Sequence, residues 1–253
     1  MRTHGTALGT LMLLATAAGA ARAEGDDHMK LSRGLPITLD DAVPIEAGSR
    51  AVKLRFAYER QDERNRYLPD AELEIGVARG WAVKLEPRYA FGNASGTGRG
   101  AFNLSVEHNV LELSGTRPGI TIEPGVTFPF GSGSDAVEAQ IELRATQPLG
   151  SGPGAPRLHL NIAWLHLFDR ESDERANRYS AAAGINLPVA AATAVAFNVV
   201  HEQSREKGKR ETYLEAGVRH AFDDKTALAA GAGFGLGPDS ADFRLLVGLQ
   251  RSF

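Results

Sequence analysis

From Arg50 onward the chain alternates apolar and polar residues with a period of two, most clearly in its last eleven positions, Phe243 to Phe253. Phe243, Leu245, Val247, Leu249 and Phe253 share one parity, while Arg244, Gly248, Gln250 and Ser252 share the other. That period belongs to a strand with one apolar face. Comparable segments recur between turn signals. Leu54 and Phe56 stand against Lys53 and Arg55, Leu73 and Ile75 against Glu72 and Glu74, and Leu158, Leu160 and Ile162 against His159 and Asn161. Twelve such strands fit between Arg50 and Phe253. A register break is expected near His108 to Leu111, as a bulge would give.

Alternation alone does not say whether the apolar face meets a core or lipid, and three features select lipid. First, long, polar connections alternate with tight ones. Arg60 to Asp70, Gly92 to Gly100, Asp169 to Arg178 and Glu202 to Arg210 are expected as outer loops. Arg79-Gly80, Pro188 to Ala191 and Asp223 to Lys225 are expected as turns, with two short strands meeting at Pro188. Gln147 to Pro156 and Gly131 to Asp135 break the rule in opposite senses. Second, aromatic residues gather at strand ends. Tyr58, Tyr89, Phe91, Phe102, Phe128, Phe130, Phe168, Tyr179 and Phe243 would ring one interface, and Trp81, Phe222 and Phe253 the other. Third, His166, His201, His220 and Arg251, the titratable residues on the apolar face, sit near strand ends. Charge at the bilayer midplane costs about 2–4 kcal/mol and near the interface about 0–1. The fold expected is therefore all-β, a transmembrane antiparallel up-and-down β-barrel of about 12 strands following a cleaved signal peptide.

Residues 1–23 supply that signal: a basic Arg2, an apolar run from Leu8 to Ala20, and the Ala21-Arg22-Ala23 cleavage site. Removing Arg2 and Arg22 from 28 basic residues leaves 26 against 31 acidic ones, a net charge of −5. No basic block or aromatic-basic motif suits nucleic acid. The chain has no Cys, which excludes lipid attachment at a lipobox. Residues 24–49, polar and proline-marked, read as a periplasmic tether or as a plug folded into the lumen; residues 50–253 form the barrel. Ala181 to Val200 has the length of a membrane helix, but Asn186, Pro188 and Asn198 argue for strands.

The opposite face would line the lumen. Arg55, Glu74, Glu86, Arg88, Glu107, Glu123, Glu142, Arg144, Glu215, Arg219 and Arg244 interleave both signs there. Such residues either pair and stiffen a narrow lumen or form a constriction that selects solutes by charge and size. Glu86-Pro87 and Glu123-Pro124 each put an inward Glu before a Pro, so locally irregular backbone is expected at both.

His201 and Ser204 are the one pair resembling hydrolase machinery, at a charged loop edge. No H-E-x-x-H, phosphate loop or G-x-S-x-G is present, and no catalytic residue, metal or cofactor is expected. The final strand resembles the closing strand of bacterial outer-membrane barrels, whose terminal aromatic, here Phe253, is read by the assembly machinery; Arg251 departs from that pattern. Two blocks resemble the outer-membrane transporters of the MetA-type pathway of phenol degradation family. They are Pro36-Ile37-Thr38-Leu39-Asp40-Asp41-Ala42 with Ile45-Glu46-Ala47-Gly48, and Glu215 to Phe222 continuing through Gly233-Phe234-Gly235-Leu236-Gly237 to Phe243-Arg244-Leu245. The resemblance implies residence in the outer membrane, with its lipids as surroundings and small solutes as cargo. A porin-like channel or transporter is the expected function. A closed-lumen structural or surface-interaction barrel is the alternative, and a lipid hydrolase comes third.

Overall fold

The structure, a computed structural model, describes residues 29–131, 136–152 and 154–253; the expected signal segment lies outside them. Twelve strands follow: β1 (Arg50–Gln61), β2 (Arg64–Ala78), β3 (Trp81–Gly92), β4 (Arg99–Leu111), β5 (Gly119–Gly131), β6 (Glu138–Pro148), β7 (Arg157–Leu167), β8 (Asn177–Ala190), β9 (Thr193–Gln203), β10 (Arg210–Asp223), β11 (Thr226–Gly235) and β12 (Phe243–Ser252). Each pairs antiparallel with its neighbours in sequence, and β1 pairs with β12, so the sheet closes into the expected twelve-stranded barrel.

The wall is inside out relative to a soluble protein. Leu54 is 52% exposed and Val247 48%, while Lys53 and Glu74, on the opposite pleat face, are 1% and 2% exposed. Large apolar side chains point outward around the whole circumference, an arrangement that hydrocarbon solvates and water does not. Trp81, Phe222 and Phe253 are exposed at the end that carries the two barrel termini, and Tyr89, Phe91, Phe128, Phe130, Phe168 and Tyr179 at the other. Polar tips on the outer face have partners on adjoining strands. His166 bonds Asn177, His201 bonds Thr212, His220 bonds Thr193, and Arg251 reaches Asp223 at 3.4 Å. Among the described residues no helix is long and apolar enough to cross a membrane.

Several connections differ from expectation. The stretch Arg60 to Asp70 is mostly strand: β2 begins at Arg64, and the turn is Asp62-Glu63, with Asp62 at φ 54°. Arg64 and Arg66 have the lumen-facing parity of Asp70 and Glu72, and beyond the hydrocarbon the outer face needs no apolar residue, so Asn65 continues it. β8 likewise runs past Pro188, with a register shift between Pro188 and Ala190, and turns at Ala191-Ala192. The expected bulge is present between Asn109 and Leu111.

At Pro69, Pro87 and Pro124 proline acts by removing donors rather than by shifting register. Between β2 and β3 the partners run Tyr67↔Phe91, Asp70↔Arg88 and Leu73↔Leu85, with residues 68, 69, 71 and 72 and their opposites on β3 left out of the ladder. Between β4 and β5 the ladder skips from Ser105↔Gly125 to His108↔Ile122 around Pro124. The register is unchanged across each gap, since Pro lacks only the N–H.

Of the two placements open for residues 24–49, the described part, 29–49, occupies the lumen. Met29, Leu31, Leu35, Ile37, Leu39 and Ala42 are buried. Leu31, Ile37 and Leu39 cluster with Ala182, Ala196, Val200, Tyr213 and Ala241. The inner face of β8 to β10 is thus partly apolar to receive them.

Candidate functional site

Residues 29–49 reach the wall's backbone only at Gly48 and Ser49, which bond Gly76, so buried backbone groups not bonded within the segment need side-chain partners. The lumen face provides them. Asn161 accepts from the Asp40 amide at 2.8 Å and donates to its carbonyl at 2.9 Å. Glu215 accepts the Thr38 amide at 2.7 Å, and Asn198 donates to the Thr38 carbonyl at 2.9 Å. Thr146 accepts the Ala42 amide, Thr121 and Asn109 donate to the Ala42 carbonyl, and Asn186 donates to that of Met29. Glu74 accepts the Ile45 amide at 3.1 Å. Arg33 adds an ion pair to Glu142 at 2.7 Å.

Glycines on the same face let the segment approach the wall. A Cβ built on Gly231 would lie 2.2 Å from the Pro36 carbonyl oxygen, and one on Gly248 would lie 2.2 Å from Leu35 Cδ2. Gly217, paired with Gly231, would put a Cβ 2.6 Å from Pro36 Cβ. The Leu35–Pro36 turn, whose peptide is cis, rests in this cradle on β10 to β12.

Around the segment the charged residues pair in three groups. Lys84 bridges Glu107 at 2.5 Å and Glu123 at 3.3 Å, and Arg144 contacts both and reaches Asp40 at 3.7 Å. Lys53 holds Glu72 and Glu74 at 2.7 and 2.8 Å, and Arg55 holds Asp70, Glu72 and Glu86 at 2.5, 3.1 and 3.2 Å. Arg244 pairs with Glu215 and lies 3.6 Å over the Tyr213 ring.

All eleven residues expected at the lumen lie on the lumen face, but in different settings. Arg55, Glu86 and Arg88 border open space. Glu74, Glu107, Glu123, Glu142, Arg144, Glu215, Arg219 and Arg244 are buried; Arg219 bonds Gln250 at 3.4 Å. Glu86 and Glu123, alike in sequence, are therefore not alike in position: Glu123 is held by Lys84, Arg144 and the Ser105 hydroxyl at 2.7 Å. Sequence reasoning missed the neutral partners Thr146, Asn161, Asn186 and Asn198 and the glycine cradle. The available signal was small and amide side chains at inward positions of strands that otherwise carry charge.

Above the segment, toward the long loops, lies a cavity of about 450 Å3, floored by Arg33, Gly34 and Thr38 and walled by Arg55, Asp70, Glu86 and Arg88. A second of about 530 Å3 lies among the loops and shares Glu59, Arg66, Arg99 and Arg205 with it. Together they make a charged vestibule that ends on the segment. His201 Nδ1 is engaged by Thr212 at 2.8 Å and Ser204 by Glu211 at 3.5 Å, so those two residues form no nucleophile-base pair. Among the described residues no group of three His, Cys, Asp or Glu is placed to hold a metal.

No protein-family model and no curated protein matches the chain. Solved structures do. The COG4313 outer membrane channel from Pseudomonas putida F1 aligns with a TM-score of 0.63 at 13% identity, over 84% of this chain and 98% of that one. NanC porin aligns at 0.59 with 10% identity, over 79% of this chain and 98% of its own, and KdgM porin at 0.53 with 14% identity, over 79% and 99%. These likenesses are of fold.

Proposed function

We propose that this barrel resides in the bacterial outer membrane and passes small polar solutes passively, along an axial path that residues 29–49 close in the state described. The observation that carries the reading is the construction of the closure. The path is filled by residues 29–49, docked largely through side chains beneath an open charged vestibule, an arrangement in which displacing those residues would open it. Neighbours in fold bear the names channel and porin, which agrees with this reading. So does the sequence resemblance to the MetA-type pathway family, which assigns no substrate. Arg55, Glu86 and Arg88, at the vestibule floor, would meet a solute first and select it by charge. Phe253 would serve the assembly machinery, with outer-membrane lipid around the apolar belt.

Planar-bilayer recording tests the proposal. The full chain is expected to conduct weakly, and Glu142→Gln combined with Glu215→Gln, which removes two anchors of the segment, to conduct more. Silence in both, and again after deletion of residues 24–49, would reject a channel. It would leave the second reading, a barrel closed for structural or surface-interaction purposes, which the dense docking of the segment also favours.

A further inference from the structure

We propose that the vestibule also opens sideways into the membrane, between β2 and β3, and admits small, largely apolar amphipathic molecules from the loop-side half of the bilayer. This route goes beyond the axial path and does not need residues 29–49 to move.

Three observations converge on one place. The β2–β3 ladder lacks partners at residues 68, 69, 71 and 72 and at their opposites on β3, around Pro69 and Pro87. The ladders on either side are continuous: β1–β2 runs unbroken from Arg50↔Ile75 to Gln61↔Arg64, and β3–β4 from Trp81↔His108 to Ala90↔Arg99. The β4–β5 ladder also skips, around Pro124, but over two opposed positions against four in β2–β3 and away from the cavity, so β2–β3 is the seam beside the cavity where two strands can part with fewer backbone hydrogen bonds to lose.

The cavity of about 450 Å3 borders this seam and touches both faces of the wall. Leu68, Ala90 and Leu246 border it from lumen-facing positions, and Pro69, Tyr89 and Phe130 from positions that face lipid. Leu68 and Ala90 interrupt the charged inward positions Arg66, Asp70, Glu86 and Arg88 on the same two strands, and they stand opposite each other in register across the gap. Tyr89 and Phe130 stack outside it, with ring centroids 6.3 Å apart.

The depth and size fit the occupant. The seam lies next to the aromatic girdle, at the level where amphipathic molecules concentrate in a bilayer. Its volume falls within the range of about 300–1,000 Å3 usual for small-molecule sites. Apolar contacts from Leu68 and Ala90, with Arg55 and Arg88 beyond them, suit a molecule with an apolar body and one polar group.

Because the chain has no Cys, the seam can be locked selectively. Leu68→Cys with Ala90→Cys would bridge it on oxidation; Gln140→Cys with Leu165→Cys, opposite each other on β6 and β7, is the control. Entry of phenylnaphthylamine, an uncharged dye, would be followed in cells carrying the full chain and in cells lacking it. The expected result is faster entry with the chain and loss of that gain when the seam pair is oxidised. Reductant should restore it, and oxidation of the control pair should change nothing. Pro69→Val with Pro87→Val, which returns two donors to the ladder, should reduce entry without any cross-link. Equal dye entry with and without the chain, or entry unaffected by both the lock and the proline replacements, overturns the proposal. Ion conductance reports the axial path separately, so either route can fail while the other stands.

Discussion

Val247 and Arg251 share a strand and a face, and the difference between them shows what the membrane demands of single residues. Val247 lies mid-strand, opposite Phe56 and Ala230, whereas Arg251 lies near the end, within 3.4 Å of Asp223. Val247→Arg should cost about 2–4 kcal/mol of unfolding free energy, and Arg251→Leu less than about 1, because the penalty for charge falls toward the interface. Urea titration of the protein in lipid vesicles, followed by Trp fluorescence, reads both; equal costs would mean that β12 does not sit at the assumed depth. Inside, the reckoning is different. Arg144 is buried and balances Glu107 and Glu123 with Lys84. Arg144→Met should therefore destabilise by about 3–5 kcal/mol, since it strands buried carboxylates. Adding Glu123→Gln should recover part of that loss in the same titration, and no recovery would show that the two act independently.

The element that decides the state of this molecule is residues 29–49, whose position depends as much on missing side chains as on present ones. Gly231 leaves room for the Pro36 carbonyl, so Gly231→Val should push the Leu35–Pro36 turn off β11 while β11 keeps its outward Leu228, Ala230 and Ala232. Trypsin should then cut after Lys30 or Arg33 faster than in the unsubstituted protein, with the barrel fragment intact by mass; unchanged cleavage would mean that the cradle does not hold the turn. The strands were legible because hydrocarbon imposes one rule on every residue that faces it, and residues as far apart as Leu54 and Leu249 obey it. The lumen obeys no such rule. Glu86-Pro87 and Glu123-Pro124 look equivalent in sequence, yet one borders the vestibule and the other lies in a buried network, because depth along the axis is not written in alternation. The lodging of residues 29–49 was left open for the same reason: its partners Asn161, Thr146, Asn186 and Glu215 are scattered over four strands and share no spacing. Where charge was taken to mean loop, as at Arg60 to Asp70, the hairpin had simply outgrown the bilayer.

At the scale of the whole molecule, closure and inversion act together. The β1–β12 seam pairs Ala51↔Ser252 through Arg60↔Phe243 without a shift, so no strand is left as an edge and the wall's backbone needs no partner from lipid. A barrel so closed keeps its ion pairs and the apolar cluster of residues 29–49 behind a continuous wall, out of reach of detergent. Detergent should replace lipid on the outer belt and leave the ladder in place, while heat, which breaks the ladder cooperatively, should unfold the chain completely. The protein should therefore migrate faster on an SDS gel when loaded unheated than when boiled, after recovery from the outer-membrane fraction. Removing Phe243 to Phe253 takes away β12 and exposes β1 and β11 as edges, so that truncated chain should run at one position under both conditions. Release of the intact chain into buffer without detergent, or identical migration before and after boiling, would contradict an apolar face turned outward, and with it both proposed routes for solute.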